Sequence, residues 1–251
     1  SGLALSLCSY KPTLLVLILP MLFVTRRFKT LAGFGIGALS FVLFATAVEG
    51  VRVWSGYLDM LLDLTRIHSL LRLSVYIDLR AFTSLLSPQH SWITLAPVLA
   101  FAGWVGFWLF RVWVSSVRAG KTANTLVWAT TITWTLLLNI YVPMYDSILI
   151  VISTVASARV MKNFAGRWFG ILCALIFASV WFTVQVAERT GIQVLTILLA
   201  GLGTLQLLAC KREIAMPTQG RSVNSLERQP EKAPFSSGWE GASAIVVTPN
   251  Q

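Results

Sequence analysis

Charge is scarce in this chain. Only 12% of its 251 residues are Asp, Glu, Lys or Arg, about half the share of an ordinary soluble domain. Acids are the scarcer sign, 10 against 20 Lys+Arg, so clusters of carboxylates that would hold a hard metal ion are not expected. There are three cysteines, Cys8, Cys173 and Cys210, far apart and within or at the edge of apolar runs. No CxxC or Cys/His spacing is present, which excludes a zinc ribbon and a disulfide scaffold and leaves the thiols as small apolar packing groups. The chain has no Walker loop, no GxSxG and no HExxH. That argues against soluble-type nucleotide chemistry, hydrolase chemistry and zinc proteolysis. No internal repeat and no coiled-coil heptad occurs. No metal and no cofactor is expected.

What the chain has instead is apolar residues, 56% of the total, with a mean hydropathy of +0.73. One globular core cannot hide them all, so the composition predicts an all-α, polytopic membrane bundle. Backbone polar groups in lipid must pair within their own segment, which makes helix the only suitable secondary structure. Seven spans are read, over 3–24, 31–48, 92–114, 125–142, 147–160, 168–186 and 192–210. Most approach the ~20 residues that cross ~30 Å of hydrocarbon. The net charge of +10 is not a nucleic-acid signal here, because the bases sit in short gaps between apolar runs. Arg26, Arg27 and Lys29 follow the first span; Arg111, Arg118 and Lys121 lie in the last turn of the third or after it; Arg159, Lys162 and Arg167 lie likewise at the fifth; Lys211 and Arg212 follow the seventh. Alternate gaps are thus basic, and the positive-inside rule puts them in the cytoplasm, with Ser1 outside and Gln251 inside. The location expected is the cell membrane, multi-pass. The chain opens within an apolar run and has no basic n-region, so a signal peptide is not read; the expectation is a piece of a longer protein.

The membrane domain is read as 1–210, with one long extracytoplasmic loop at 49–91. In that loop Trp54, Tyr57, Leu58, Leu61 and Leu62 share one helical face, and Arg52, Asp59, Asp63 and Arg66 another. This spacing predicts an amphipathic helix along the outer membrane surface, then a shorter one near 77–86. The loop charges, Asp78 and Arg80 among them, read as a solvated face, and His68 and His90 are too isolated for a metal site. Residues 211–251, rich in Pro, Gly and Ser, read as a disordered cytoplasmic tail.

Two places could carry chemistry. Lys11 stands inside LCSYKPTLLVLILP, about eight residues into the first span and roughly 12 Å along a helix. A lysine at mid-span costs ~2.5–3.5 kcal/mol on insertion scales. Pro12 removes the next backbone donor and loosens the turn. A cation at a broken turn near the outer face suits an anionic headgroup; snorkelling of the ammonium to the interface is the alternative. The second place is NIYVPMYDS, 139–147, where Asp146 opens a span. It either caps that helix or pairs with a cation across the bundle, for which Lys11 is a candidate, or it contacts substrate.

The ordered set SGLALSLCSYKPTLLVLILP, RRFK, LAGFGIGALSFVLFATAV, VRVWSGYLDML and YVPMYDSILIVIS resembles the C-terminal part of glycosyltransferase family 87, the DUF2029 family, over roughly residues 1–209. The resemblance implies a GT-C membrane fold and a mannosyltransferase-like activity: a sugar leaves a polyprenyl-phosphate carrier for a hydroxyl of a lipid or glycan acceptor at the outer face. It implies Lys11, Tyr145 and Asp146 as substrate-binding residues, with Lys11 opposite the donor phosphate. The catalytic residue is not assigned: GT-C enzymes usually place their base in a first outer loop of the N-terminal half, which this chain does not hold, so the chain is expected to be inactive alone. Partners implied are the polyprenyl-phosphate-linked sugar, the acceptor and membrane lipids; nucleic acid is not among them. The alternative reading is a transporter or channel subunit with an intramembrane Lys/Asp pair; a structural subunit without chemistry is the third.

Overall fold

The computed structural model describes residues 2–67, 72–86, 91–117, 121–139 and 142–215. Among these the chain is all-helical, as the composition predicts, apart from one isolated bridge between Tyr76 and Pro143. The helices are α1 (Gly2–Ser6), α2 (Ile18–Val24), α3 (Phe28–Glu49), α4 (Arg52–Ile67), α5 (Leu79–Leu86), α6 (Ser91–Ser116), α7 (Lys121–Leu138), α8 (Leu149–Ala165), α9 (Arg167–Ser179), α10 (Thr183–Thr190) and α11 (Val194–Ala215). Among the described residues four stretches are long and apolar enough to cross a membrane: Phe28–Glu49, Ala96–Ser116, Met144–Ala165 and Val194–Ala215. A fifth arises if α9 and α10, bent by 74° at their junction, count as one span.

Besides the bent α9–α10 pair, two of the seven expected spans differ in form from a plain apolar helix. The first run is broken: α1 is followed by 3-10 turns at Leu7–Tyr10 and Pro12–Leu15 before α2 begins. Pro12 is the cause. It has no N–H to donate and forces the preceding residue out of the helical region, and Lys11 accordingly sits at φ −136°, ψ 82°. Pro20 lies in the first turn of α2, where a missing donor costs little. The other is α7, eighteen residues long. It is the most enclosed helix of the bundle, and its hydropathy is diluted by Thr130, Thr131, Thr133 and Thr135, all buried. Thr130 and Thr131 donate back to carbonyls four residues earlier, so they enter the core without an orphaned proton.

The packing uses what helices use when hydrophobic burial cannot discriminate them from lipid, namely small residues and interhelical hydrogen bonds. α3 is apolar on every side and mostly exposed, which suits a lipid-facing helix. It meets α1 where Gly33 and Gly37 face Gly2 and Ser6; a Cβ on Gly33 would stand 3.3 Å from the Gly2 Cα. Between α7, α8 and α11 lies a buried polar seam. Thr133 Oγ1 donates to Gln206 Oε1 at 2.8 Å, and Gln206 Nε2 donates to Ser153 Oγ at 2.9 Å and Ser157 Oγ at 3.0 Å. Beside it, Gly203 gives room to the Trp134 indole, 2.8 Å from where a Cβ would be.

The bundle has two distinct ends. At one, Arg27 stacks over Trp113 and donates to Asn124, Lys211 stacks over Trp108, and Arg212 stacks over Phe164. These contacts gather the α2–α3 turn, the C-termini of α6, α8 and α11 and the start of α7 into one basic end. Burial pulls the Arg27 guanidinium below the usual arginine range. Lys211 and Arg212 continue α11, which ends at Ala215 rather than Cys210; cations in a last turn favour the negative pole of the helix. The rest of the expected tail lies outside the described residues.

Candidate functional site

The opposite end is built from three connections. The segment before α5 docks on the α7–α8 connection: Ile77 N donates to Val142 O at 2.9 Å, and Tyr76 bridges Pro143. The same segment is held by α11. Gln193 Nε2 donates to the carbonyls of Ser74 (2.8 Å) and Tyr76 (3.0 Å), Thr196 Oγ1 donates to Ile77 O (2.9 Å), and Gln193 Oε1 accepts from Thr183 of α10.

Into this end comes the break at Lys11. Its ammonium forms an ion pair with Asp146, from 135 residues away. The Tyr145 ring lies beside it, 5.8 Å from Nζ to centroid, and Asn139 Nδ2 donates to Thr13 Oγ1 at 3.1 Å, fastening the turn after Pro12 to the end of α7. Asp146 is buried at 3% exposure and Lys11 retains 17%. Of the readings open for Asp146, pairing across the bundle is the observed one: it sits in the 3-10 turn Met144–Ile148, and no side-chain cap is made at the start of α8. Lys11 is therefore not simply snorkelling. Tyr145 is 75% exposed, so the three expected substrate-binding residues are brought together as a buried carboxylate, a mostly shielded ammonium and an exposed phenol.

A hollow lies next to the break. It measures about 510 Å³ and is lined by Leu7, Ser9 and Pro12 on one side and by Phe41, Trp54 and Tyr57 on another. The lining is apolar, and α4 covers it with the aromatic face that its sequence pattern predicts; Trp54 Nε1 donates to Thr46 Oγ1 at 2.8 Å and ties α4 to α3. A second cavity of about 430 Å³ lies between α5, α6 and α7, with Arg80 and Asn139 among its lining. Lys11, Tyr145 and Asp146 do not line the first hollow, which is reached at this break through Ser9 and Pro12; its apolar lining suits a lipid chain. Among the described residues no group of His, Cys, Asp and Glu could hold a metal.

One expectation fails. Asp78 is not on a solvated face but buried. Its Oδ1 accepts from Ala81 N at 2.8 Å, capping α5, and its Oδ2 accepts from Val142 N at 3.2 Å, fixing the strand of chain that delivers Tyr145 and Asp146. The signal was in the sequence: an Asp just before the apolar run LRAF is an N-cap signature. His68, His90 and Tyr141 lie outside the described residues, as do the side chains of Asp63 and Arg66. No family model matches this chain, and no curated protein and no solved structure shows a significant match to it.

Proposed function

We propose that this chain is the C-terminal part of an integral-membrane glycosyltransferase of GT-C type, with seven spans, α4 and α5 on the extracytoplasmic side and a cytoplasmic C-terminus. It transfers a sugar, mannose by the resemblance, from a polyprenyl-phosphate donor to a lipid or glycan hydroxyl at the outer face of the cell membrane. The observation that carries the reading is the Lys11–Asp146 pair, with Tyr145 at hand, at a break whose flanking residues Ser9 and Pro12 line the apolar hollow under α4.

The chemistry that this arrangement supports is electrostatic. The acceptor oxygen attacks the anomeric carbon, the bond from that carbon to the phosphate oxygen breaks with its electron pair on the phosphate, and the acceptor proton goes to a base that this chain does not assign. An ammonium has three donors, and Asp146 uses one of them to hold Lys11 at the break. The remaining donors can face a phosphate. The pair as a unit is neutral, so a singly charged phosphodiester gains little from it. The departing phosphate monoester carries more charge on the atoms Lys11 would face, and a stabilisation that grows along the reaction raises the rate rather than merely the affinity. The apolar hollow would take the first isoprene units, and α4 would limit water.

The test uses the complete protein in proteoliposomes with radiolabelled polyprenyl-phosphate mannose. Lys11→Ala should lower transfer by about tenfold or more, the loss of one transition-state donor, and Lys11→Arg should keep part of it. The double variant Lys11→Ala/Asp146→Ala leaves no unpaired buried charge, and should fold while staying slow. Transfer unchanged in both would remove the phosphate role. A second reading, a transport subunit, is favoured by the buried polar seam of Thr133, Ser153, Ser157 and Gln206 in the same bundle. Solute flux without sugar transfer in the same vesicles would establish that reading instead.

A further inference from the structure

At the basic end, cations are not spent alike. Arg27, the middle of the RRFK turn, is turned inward: its guanidinium donates to Asn124 Oδ1 at 2.6 Å and lies 5.2 Å from the Trp113 ring centroid. It is occupied with holding α2, α6 and α7 together. Arg111 of α6 and Lys211 of α11 are different. They come from helices distant in sequence and converge on one indole, Trp108, with Lys211 Nζ 3.1 Å and Arg111 Cζ 5.8 Å from its centroid. Neither has a carboxylate within ion-pair distance among the described residues, and Glu213, the acid nearest in sequence to Lys211, pairs with neither. Two like charges gathered on one ring repel each other, and the quadrupole of an indole offsets only part of that. A third body carrying negative charge would complete the cluster.

The surroundings say what kind of body. One turn inward from Trp108 and Lys211 stand Trp104 and Leu208, both about half exposed, and Phe107 is 54% exposed beside them. The site therefore has a doubly cationic, aromatic head region at the end of the bundle and an apolar outer surface running away from it along the helices. We propose that Trp108, Arg111 and Lys211 form a headgroup site for an anionic phospholipid, with the phosphate between the two cations and an acyl chain along α6 and α11. A free phosphate or a zwitterionic lipid would satisfy only one half of these features. The inference does not depend on the sugar-transfer reading, which concerns the other end.

The probe is phosphatidylglycerol. The whole protein, purified in detergent and equilibrated with equimolar phosphatidylglycerol and phosphatidylcholine, is measured by native mass spectrometry for retained lipid. Wild type should keep phosphatidylglycerol selectively. Arg111→Gln/Lys211→Gln should weaken that retention by about tenfold, since each cation near an anionic headgroup contributes measurably, and Lys29→Gln/Lys121→Gln, which removes as much charge from the same end, should leave it within about twofold by the same reasoning. Equal loss in both doubles would mean general attraction to the basic end and would overturn the site. Equal retention of the two lipids by wild type would overturn it as well, and so would displacement of the lipid by inorganic phosphate at millimolar concentration, which would make the ligand a free anion. Should the first double variant fail to give a monodisperse protein, Arg111→Gln alone, at an exposed position, is read instead: a severalfold loss supports the site and no change refutes it.

Discussion

Replacing Lys11 by Met tests how the break in the first run is held. Asp146 is 3% exposed and its cation is Lys11, so the variant leaves a carboxylate without its counter-charge in an apolar site. Removing one partner of a buried ion pair costs ~3–5 kcal/mol. Because Lys11 is itself 17% exposed, the lower end applies, about 3 kcal/mol. The opposite change, Asp146→Leu, is milder: the lysine stem is long and can carry its head to water, so about 1 kcal/mol is expected. Removing both, in Lys11→Met/Asp146→Leu, should bring stability back to within about 1 kcal/mol of wild type, since apolar replacement of a buried pair is often neutral. The cycle thus predicts a coupling energy of about 3 kcal/mol and a double variant more stable than the lysine variant. The assay is SDS-driven unfolding of the whole protein in mixed micelles, followed by helical circular dichroism. Additive losses, or a Lys11→Met cost below about 0.5 kcal/mol, would show that the pair is not a structural tie.

Three further changes probe the scaffold. Gly203→Val should destabilise by about 1–3 kcal/mol, because its side chain would enter the Trp134 indole, and Gly203→Ala by less; both are read by the same unfolding assay. Gln206→Leu removes three interhelical hydrogen bonds at roughly 0.6 kcal/mol each, so a loss of about 2 kcal/mol is expected, and a loss under 0.5 kcal/mol would mean that the seam does not tie α7, α8 and α11. Asp78→Ala should cost about 1 kcal/mol through the lost cap and should speed hydrogen exchange at the Ala81 and Val142 amides; unchanged exchange at Val142 would show that the carboxylate does not hold that segment.

Parts of this fold could be read without coordinates. The helical class follows from a composition that lipid alone can accommodate, and the break at Lys11 from a proline one residue on. The aromatic face of α4 follows from residues three and four apart, because a helix puts them on one side. What was misjudged was the surroundings of charges. Asp78 sits among bases and acids in a loop, and in the sequence that pattern is the same for a solvated carboxylate and for one that caps α5 and grips Val142. The basic gaps likewise look alike, yet Arg27 is turned inward and Arg111 is not paired with an acid among the described residues.

The sequence by itself settled what each stretch is: helix or break, apolar or amphipathic, basic or acidic. Those properties depend on neighbours within a turn or two, and the chain carries them wherever it goes. Only the tertiary structure decided what each charge faces. Lys11 meets Asp146 across 135 residues, and Lys211 meets Trp108 across the space between α11 and α6, because helix ends converge where the packing of small residues and buried polar groups brings them, and no local pattern encodes that meeting.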